Sequence, residues 1–182
     1  MKLGRLNHIG VATPSIADSI AYYRDTMGAV RINEPFDLPE QGVKVCFVDT
    51  PDSTGEVGKG TQIELIEPFD EASPINGFLA KNPAGGQHHV CYEVEDIEAA
   101  REWFEGKGKR ILGPTRIGAH GTPIFFLHPK DMMGQLTEIM ETPKEGAHWS
   151  NSTQRRLYAP LQASPGRFAT GLCYPLPARG EG

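Results

Sequence analysis

The 182-residue sequence has no apolar run near the roughly 18 residues that read as a membrane-spanning helix. Its start, MKLGRLNHIG, lacks the apolar core of a signal peptide. These absences predict a cytoplasmic protein with no membrane partner. Cysteine is scarce: Cys46, Cys91 and Cys173 are odd in number, widely spaced and never in a CxxC pair. A reducing compartment is therefore expected, with neither a disulfide framework nor a thiolate zinc knuckle. Basic excess is missing too. Lys and Arg number 18 against 23 Asp and Glu, giving a formal net charge of -5 and a pI near 5.7. No electrostatic field favours nucleic acid. The rest, 38% hydrophobic and 23% charged, is an ordinary composition for one domain or two small modules.

Internal repetition carries more information. LNHIGVATPSIADSIAYYRDTMGA starts as a strand, turns at Pro14-Ser15 and continues as an amphipathic helix with Ile16, Ile20, Tyr23 and Met27 at helical spacing. QHHVCYEVEDIEAAREWFEGKG repeats the pattern, with Ile97, Ala100 and Phe104 on its apolar side. A shift of 81 residues (89 − 8) lays His8 on His89, Ile16 on Ile97, Tyr22 on Trp103 and Tyr23 on Phe104. Two apolar strands follow each helix, VKVCFVDTP and QIELIEP, then TPIFFLHP and QLTEIMETP. A weaker strand precedes each pair, in VRINEPF and KRILGPT. The expectation is an α+β domain over residues 1–143 built from two βαβββ modules, 5–68 and 87–143, related by pseudo-two-fold symmetry. The linker 69–86 holds a candidate short helix capped by Ser73, with Pro74 at its first position. Residues 144–182 carry four prolines and five glycines without a sustained period. They read as a poorly ordered tail without catalytic content.

Both modules set polar residues where a strand normally buries apolar ones. Side chains alternate faces along a strand, so Glu64 of QIELIE shares a face with Ile66, and Glu138 of LTEIME lies between Leu136 and Met140. An ionised carboxylate on a buried face is costly unless it is paired, hydrogen-bonded or bound to a metal. His8 and His89 occupy the first strand of their modules, and Glu64 and Glu138 the last. A pseudo-two-fold axis would bring all four together, and two imidazoles with two carboxylates suit a divalent ion that keeps open positions. Gln62, on the face of Glu64, is the reserve ligand. Alternation turns His88 to the opposite face and gives it a packing or hydrogen-bonding role.

From about Leu6 to Pro143 the sequence resembles the vicinal oxygen chelate superfamily and, within it, the bacterial methylmalonyl-CoA epimerases. The resemblance is carried by LNHIGVA, PEQGVKVCFVD, IELIEP, SPINGFLAKNPAGGQHHVCYEVEDIEAA, IGAHGTPIFFLHPKD and LTEI. It implies a glyoxalase-like fold around one divalent metal ion per chain (Co2+, Mn2+, Zn2+, Ni2+ or Fe2+), held by His8, Glu64, His89 and Glu138. It also implies an acyl-CoA thioester substrate and a homodimer. The implied reaction interconverts (2R)- and (2S)-methylmalonyl-CoA by removing and returning the C2 proton through a metal-stabilised enolate. Glu138 is the expected base, with a pKa raised by its apolar neighbours Leu136 and Met140, and Glu64 is its symmetric partner. Gly118, Ala119, His120 and Gly121 of the GAHG turn, together with Lys130, are the expected contacts to the CoA portion. Glu64 stands where some epimerases have Gln, and Val45 where some carry an extra carboxylate. A glyoxalase I-like lactoylglutathione lyase uses the same donor set and is the alternative reading. A ring-cleaving dioxygenase would prefer two His and one carboxylate around iron, and a binding protein of this fold would need no metal.

Overall fold

In the first module, β1 (Leu6–Ala12) leads into α1 (Ile16–Asp25), followed by β2 (Phe36–Leu38), β3 (Val43–Val48) and β4 (Gln62–Pro68). A one-turn helix, α2 (Asn76–Leu79), lies in the linker. The second module repeats the order with β5 (Gly86–Val94), α3 (Ile97–Gly106), β6 (Ile111–Ile117), β7 (Pro123–Leu127) and β8 (Thr137–Glu141). This computed structural model describes residues 1–143, so the expected tail at 144–182 lies outside the described residues.

The strands form one mixed sheet in the order β2-β3-β4-β1-β5-β8-β7-β6. With β1 matched to β5 and each later strand to its counterpart, the order reads the same from either edge. Within each module the first and last strands run parallel, β1 beside β4 and β5 beside β8. Between modules, β1 and β5 run antiparallel and form the seam. Alternation along the strands divides the core into two layers. Cys46, Val48 and Leu65 face outward under Ile16 of α1. Val94, Phe125, Leu127 and Ile139 do the same under Ile97, Ala100 and Phe104 of α3. The opposite face carries Val45, Phe47 and Ile66 in one half, and Cys91, Ile124 and Met140 in the other. Cys46 and Cys91 are buried free thiols.

The helix starts repeat as closely as the strands do. Ser15 Oγ accepts from Asp18 N at 3.2 Å, and the Asp96 carboxylate, 81 residues on, accepts from Ala99 N at 2.9 Å. Each satisfies one of the N–H groups that a first turn leaves without a partner. A carboxylate also arrives from the module's last strand: Ile16 N donates to Glu67 at 2.7 Å and Ile97 N to Glu141 at 3.1 Å. Anionic groups at the positive helix ends thus tie α1 to β4 and α3 to β8. Those strands carry Glu64 and Glu138, each three residues before its tie.

Some local expectations change. Helix α1 ends at Asp25, which leaves Met27 beyond it and 60% exposed. The linker helix starts after Ile75, and Ser73 makes no cap bond; its buried Oγ has no hydrogen-bond partner among the described residues. Ile75 anchors in the inner core beside Val43 and Ile66, and that burial sets the register of the linker. VRINEPF contributes one bridge, Ile32 to Val48, and the edge strand forms downstream at Phe36–Leu38.

Phe125 is fully buried, edge-on to Phe104 at 6.2 Å between ring centres. Phe125→Ala should cost about 3–5 kcal/mol of folding stability, the usual range for truncating a core Phe. Urea denaturation checks this, and a loss below about 1 kcal/mol would contradict the packing described.

Candidate metal centre and active site

The seam sets the site. Gly10 of β1 pairs with Glu64 of β4 on one side and with His89 of β5 on the other. His8 pairs with Cys91, which pairs in turn with Glu138 of β8. The two glutamates thus flank the two histidines from opposite halves. His8 Nε2 lies 3.2 Å from His89 Nε2, 3.4 Å from Glu64 Oε2 and 3.5 Å from Glu138 Oε2. His89 Nε2 lies 3.2 Å from each carboxylate. One donor atom from each of the four fits within a 4.8 Å span, and all four residues are buried. That spacing suits a cation bonded at about 2.0–2.2 Å to imidazole nitrogen and carboxylate oxygen. Nitrogen and oxygen donors of this kind match a first-row divalent ion better than a thiophilic one.

Two buried carboxylates repel, and burial alone would push both pKa values up. The imidazoles overcome it: burial opposes ionisation of Glu64, but His8 and His89 hold its pKa below the usual carboxylate value. Glu138 is likewise lowered against burial, by hydrogen bonds to His8 and His89. The raised pKa expected for Glu138 is therefore corrected, because the histidines outweigh the apolar flank. For His89, burial disfavours the charged ring, yet its hydrogen bonds to Glu138 and Glu64 carry it up to about 10. A cation would displace that proton and take over the neutralisation of both acids.

Aromatic walls repeat with the ligands. Phe47 pairs with Glu64 and meets His8 edge-on at 6.5 Å; Phe126 pairs with Glu138 and meets His89 edge-on at 5.4 Å. Above the cluster opens a cavity of about 280 Å³, lined by Glu64, Glu138, His88 and His89 beneath apolar walls that include Val45, Ile66 and Phe126. That volume is smaller than the usual range for a drug-sized ligand. Arg116 is the one Lys or Arg among the lining residues and lies over the Phe126 ring at 5.4 Å.

Other expected residues fall elsewhere. Gln62, the reserve ligand, is engaged away from the four-residue cluster: its amide nitrogen donates to Asp49 at 2.6 Å, and its oxygen meets His120 Nε2 at 2.7 Å. Of the four GAHG residues, Ala119 alone lines the cavity. Gly118 and Gly121 close the turn through a 2.8 Å backbone bond. His120 folds inward, stacked on His8 at 5.2 Å, and burial pushes its pKa down to about 4. It backs His8 and does not stand at the mouth. Lys130 is exposed on the 3₁₀ turn after β7 and is not among the lining residues. His88 was expected on the opposite face. It lines the cavity because the seam slips by one residue there: Gly10 pairs with His89, but Val11 pairs with Gln87. Arg116 has no periodic or repeat signal in the sequence, whereas Asn7-His8 and His88-His89 do match under the 81-residue shift.

Gly10 is required by the cluster. A Cβ at this position would run into the His89 ring. Gly10→Ala should leave the outer layer folded while displacing His89 and lowering divalent-metal uptake about tenfold or more, the scale for disturbing a ligand's support. Co2+ titration of purified protein is the check, and wild-type affinity in this variant would contradict the geometry.

A family model for the glyoxalase/bleomycin resistance protein/dioxygenase superfamily matches residues 7–126. An ethylmalonyl-CoA/methylmalonyl-CoA epimerase from Cereibacter sphaeroides is 50% identical over 139 residues, covering 75% of this chain and 97% of that protein. The human mitochondrial methylmalonyl-CoA epimerase is 45% identical over 138 residues, covering 75% of this chain and 73% of that one. A Streptomyces coelicolor methylmalonyl-CoA epimerase in complex with 2-nitronate-propionyl-CoA superposes with a TM-score of 0.68 at 33% identity, covering 79% of this chain and 100% of that structure. With its paired modules and facing carboxylates, the chain belongs to the methylmalonyl-CoA epimerase family of the glyoxalase/bleomycin resistance protein/dioxygenase superfamily.

Proposed function

We propose that the chain interconverts (2R)- and (2S)-methylmalonyl-CoA, using Glu138 and Glu64 as proton carriers beside a divalent ion held by His8, Glu64, His89 and Glu138. The observation carrying this reading is that two buried glutamates face one cavity from opposite halves of the sheet. Inverting a carbon by proton transfer requires a proton to leave one face and return to the other. A divalent ion at this site would act as a Lewis acid, stabilising the negative charge of the enolate that forms when the proton leaves. The residues fit such an ion by donor type and spacing.

The imidazoles hold both glutamates ionised at neutral pH, and a bound cation would take over that role, so each can accept a proton without first losing one. The apolar walls exclude water from the carbon being inverted and strengthen charge interactions there. Val45 occupies the inner face of β3 without an ionisable group, which supports Glu64 and Glu138 as the acid–base pair. Arg116, at the rim, is suited to an anionic group of the substrate, either its free carboxylate or a phosphate of CoA. The cavity's size supports an acyl head inside and a CoA chain outside.

The direct test is methylmalonyl-CoA with metal-loaded protein in D2O, following deuterium at C2 and the ratio of epimers. Exchange with epimerisation is expected. No exchange, together with turnover of a glutathione–methylglyoxal adduct, would favour the lactoylglutathione lyase alternative instead.

Glu138→Gln retains an oxygen able to ligate but is a very poor base. Its rate should fall about 10²–10⁴-fold with metal retained, while Glu64→Gln, which leaves Glu138 in place as base, should fall less. Metal analysis beside kcat separates ligation from proton transfer, and the reverse ranking would make Glu64 the principal base. Arg116→Ala should raise KM for the thioester about tenfold with kcat little changed, since it loses a charge-assisted contact of about 1.5 kcal/mol made before and during reaction. Unchanged KM would remove Arg116 from substrate recognition.

A further inference from the structure

The β1–β5 seam slips twice. Leu6 pairs with Tyr92 and His8 with Cys91, so Asn7 is an extra residue in β1. Gly10 pairs with His89 and Val11 with Gln87, so His88 is an extra residue in β5. Such bulges turn a side chain away from the face that alternation would give it. The two extra residues are themselves related by the repeat: 88 − 7 = 81, the shift that relates His8 to His89. Each stands immediately before a site histidine, and each touches that histidine's far nitrogen. Asn7 Oδ1 lies 2.9 Å from His8 Nδ1, and His88 Nδ1 lies 3.0 Å from His89 Nδ1.

We propose that Asn7 and His88 are paired positioning residues, holding the Nδ1 atoms of His8 and His89 so that both rings present Nε2 to a cation. The proposal rests on reading the four-residue cluster as a metal centre. A neutral imidazole that ligates through Nε2 carries its proton on Nδ1 and needs an acceptor there. Asn7 supplies its carbonyl oxygen. Its amide orientation is fixed from behind, because Asn7 Nδ2 donates to Glu93 Oε1 at 2.7 Å, and the same oxygen accepts from Arg5 at 2.9 Å. A flipped amide would set its oxygen against the Glu93 carboxylate. His88 supplies an unprotonated Nδ1, with its own proton on Nε2, and its ring stands edge-on to Phe78 at 5.2 Å.

The two supports differ in one respect. The first ends in a buried carboxylate and an arginine, whereas the second is a neutral ring that also lines the cavity. His8 is thus held from within the fold, and His89 is held by a residue within reach of the substrate.

The test uses the full-length protein loaded with Co2+. Affinity is measured by competition with a chromophoric chelator, and the exchangeable imidazole N–H protons by paramagnetically shifted NMR signals. Wild type should show two such signals, from His8 and His89. His88→Phe keeps a ring but has no acceptor, so it should weaken Co2+ binding about 10–100-fold and lose one N–H signal to solvent exchange. His88→Asn, which installs the first module's own solution, should recover both the affinity and the signal. That rescue distinguishes an acceptor from a packing role. His88→Leu serves as the second acceptor-free variant should the Phe variant fail to fold. Wild-type affinity with both signals present in a folded acceptor-free variant would overturn the assignment. Failure of the wild type itself to bind Co2+ would overturn the metal centre, and the positioning roles with it.

Discussion

Two carboxylates buried against the same pair of imidazoles would be destabilising in most cores, since each loses its hydration and each repels the other. Here the cost is contained because four strands deliver the groups at fixed register. Gly10 leaves room for the His89 ring, and the histidines hold both acids ionised. The rest of the structure follows from that constraint. The seam must be antiparallel to bring the first strands together with matching residues opposed. The last strand of each module must run parallel to its first so that Glu64 and Glu138 flank the pair. Crossing from a first strand to a parallel last strand needs a long connection, and in each module α1 or α3 supplies part of it.

The helices consequently do more than cover the outer layer. Glu67 and Glu141 lie three residues beyond the site acids and bind the first backbone N–H of the helix in their own module. A shift of β4 or β8 along its axis would break that bond and displace the site acid together. The same device in both halves keeps the cluster symmetric without any covalent link across the seam.

Much of this was legible in the sequence because alternation has a fixed period. A strand that repeats His at its start and Glu at its end declares which face each occupies, and the 81-residue shift made the two halves comparable. Legibility failed where the period is broken. Bulges reverse the rule locally, so alternation places His88 on the wrong face and gives no signal for Asn7. His120 and Lys130 belong to neighbouring motif pieces, yet the turn before β7 buries the first and the turn after it exposes the second. Met27 matched a helical period that the chain leaves two residues earlier. Arg116 reaches the cavity from an edge strand whose register shifts between Leu112 and Arg116, which no pattern of residue types encodes. The pKa of Glu138 was misjudged because apolar neighbours are visible along one strand, whereas the opposing histidines come from two others.

Symmetry suits the proposed chemistry, and its breakdown gives that chemistry an orientation. A carbon that must be protonated on either face benefits from an acid on each side, and the two-fold arrangement provides Glu64 and Glu138 in equivalent settings. A thioester, however, has distinct ends, so a fully symmetric cavity would accept it in two opposite orientations. The walls differ where this matters. By sheet register the position matched to Arg116 is Phe36, since Arg116 pairs with Ile124 as Phe36 pairs with Val45. The position matched to His88 is Asn7, which does not line the cavity. The cationic Arg116 and the His88 ring therefore stand on the second module's side of the pocket, without counterparts on the first. An anionic substrate gains a preferred direction from that side, while the carbon between the acids keeps access to both.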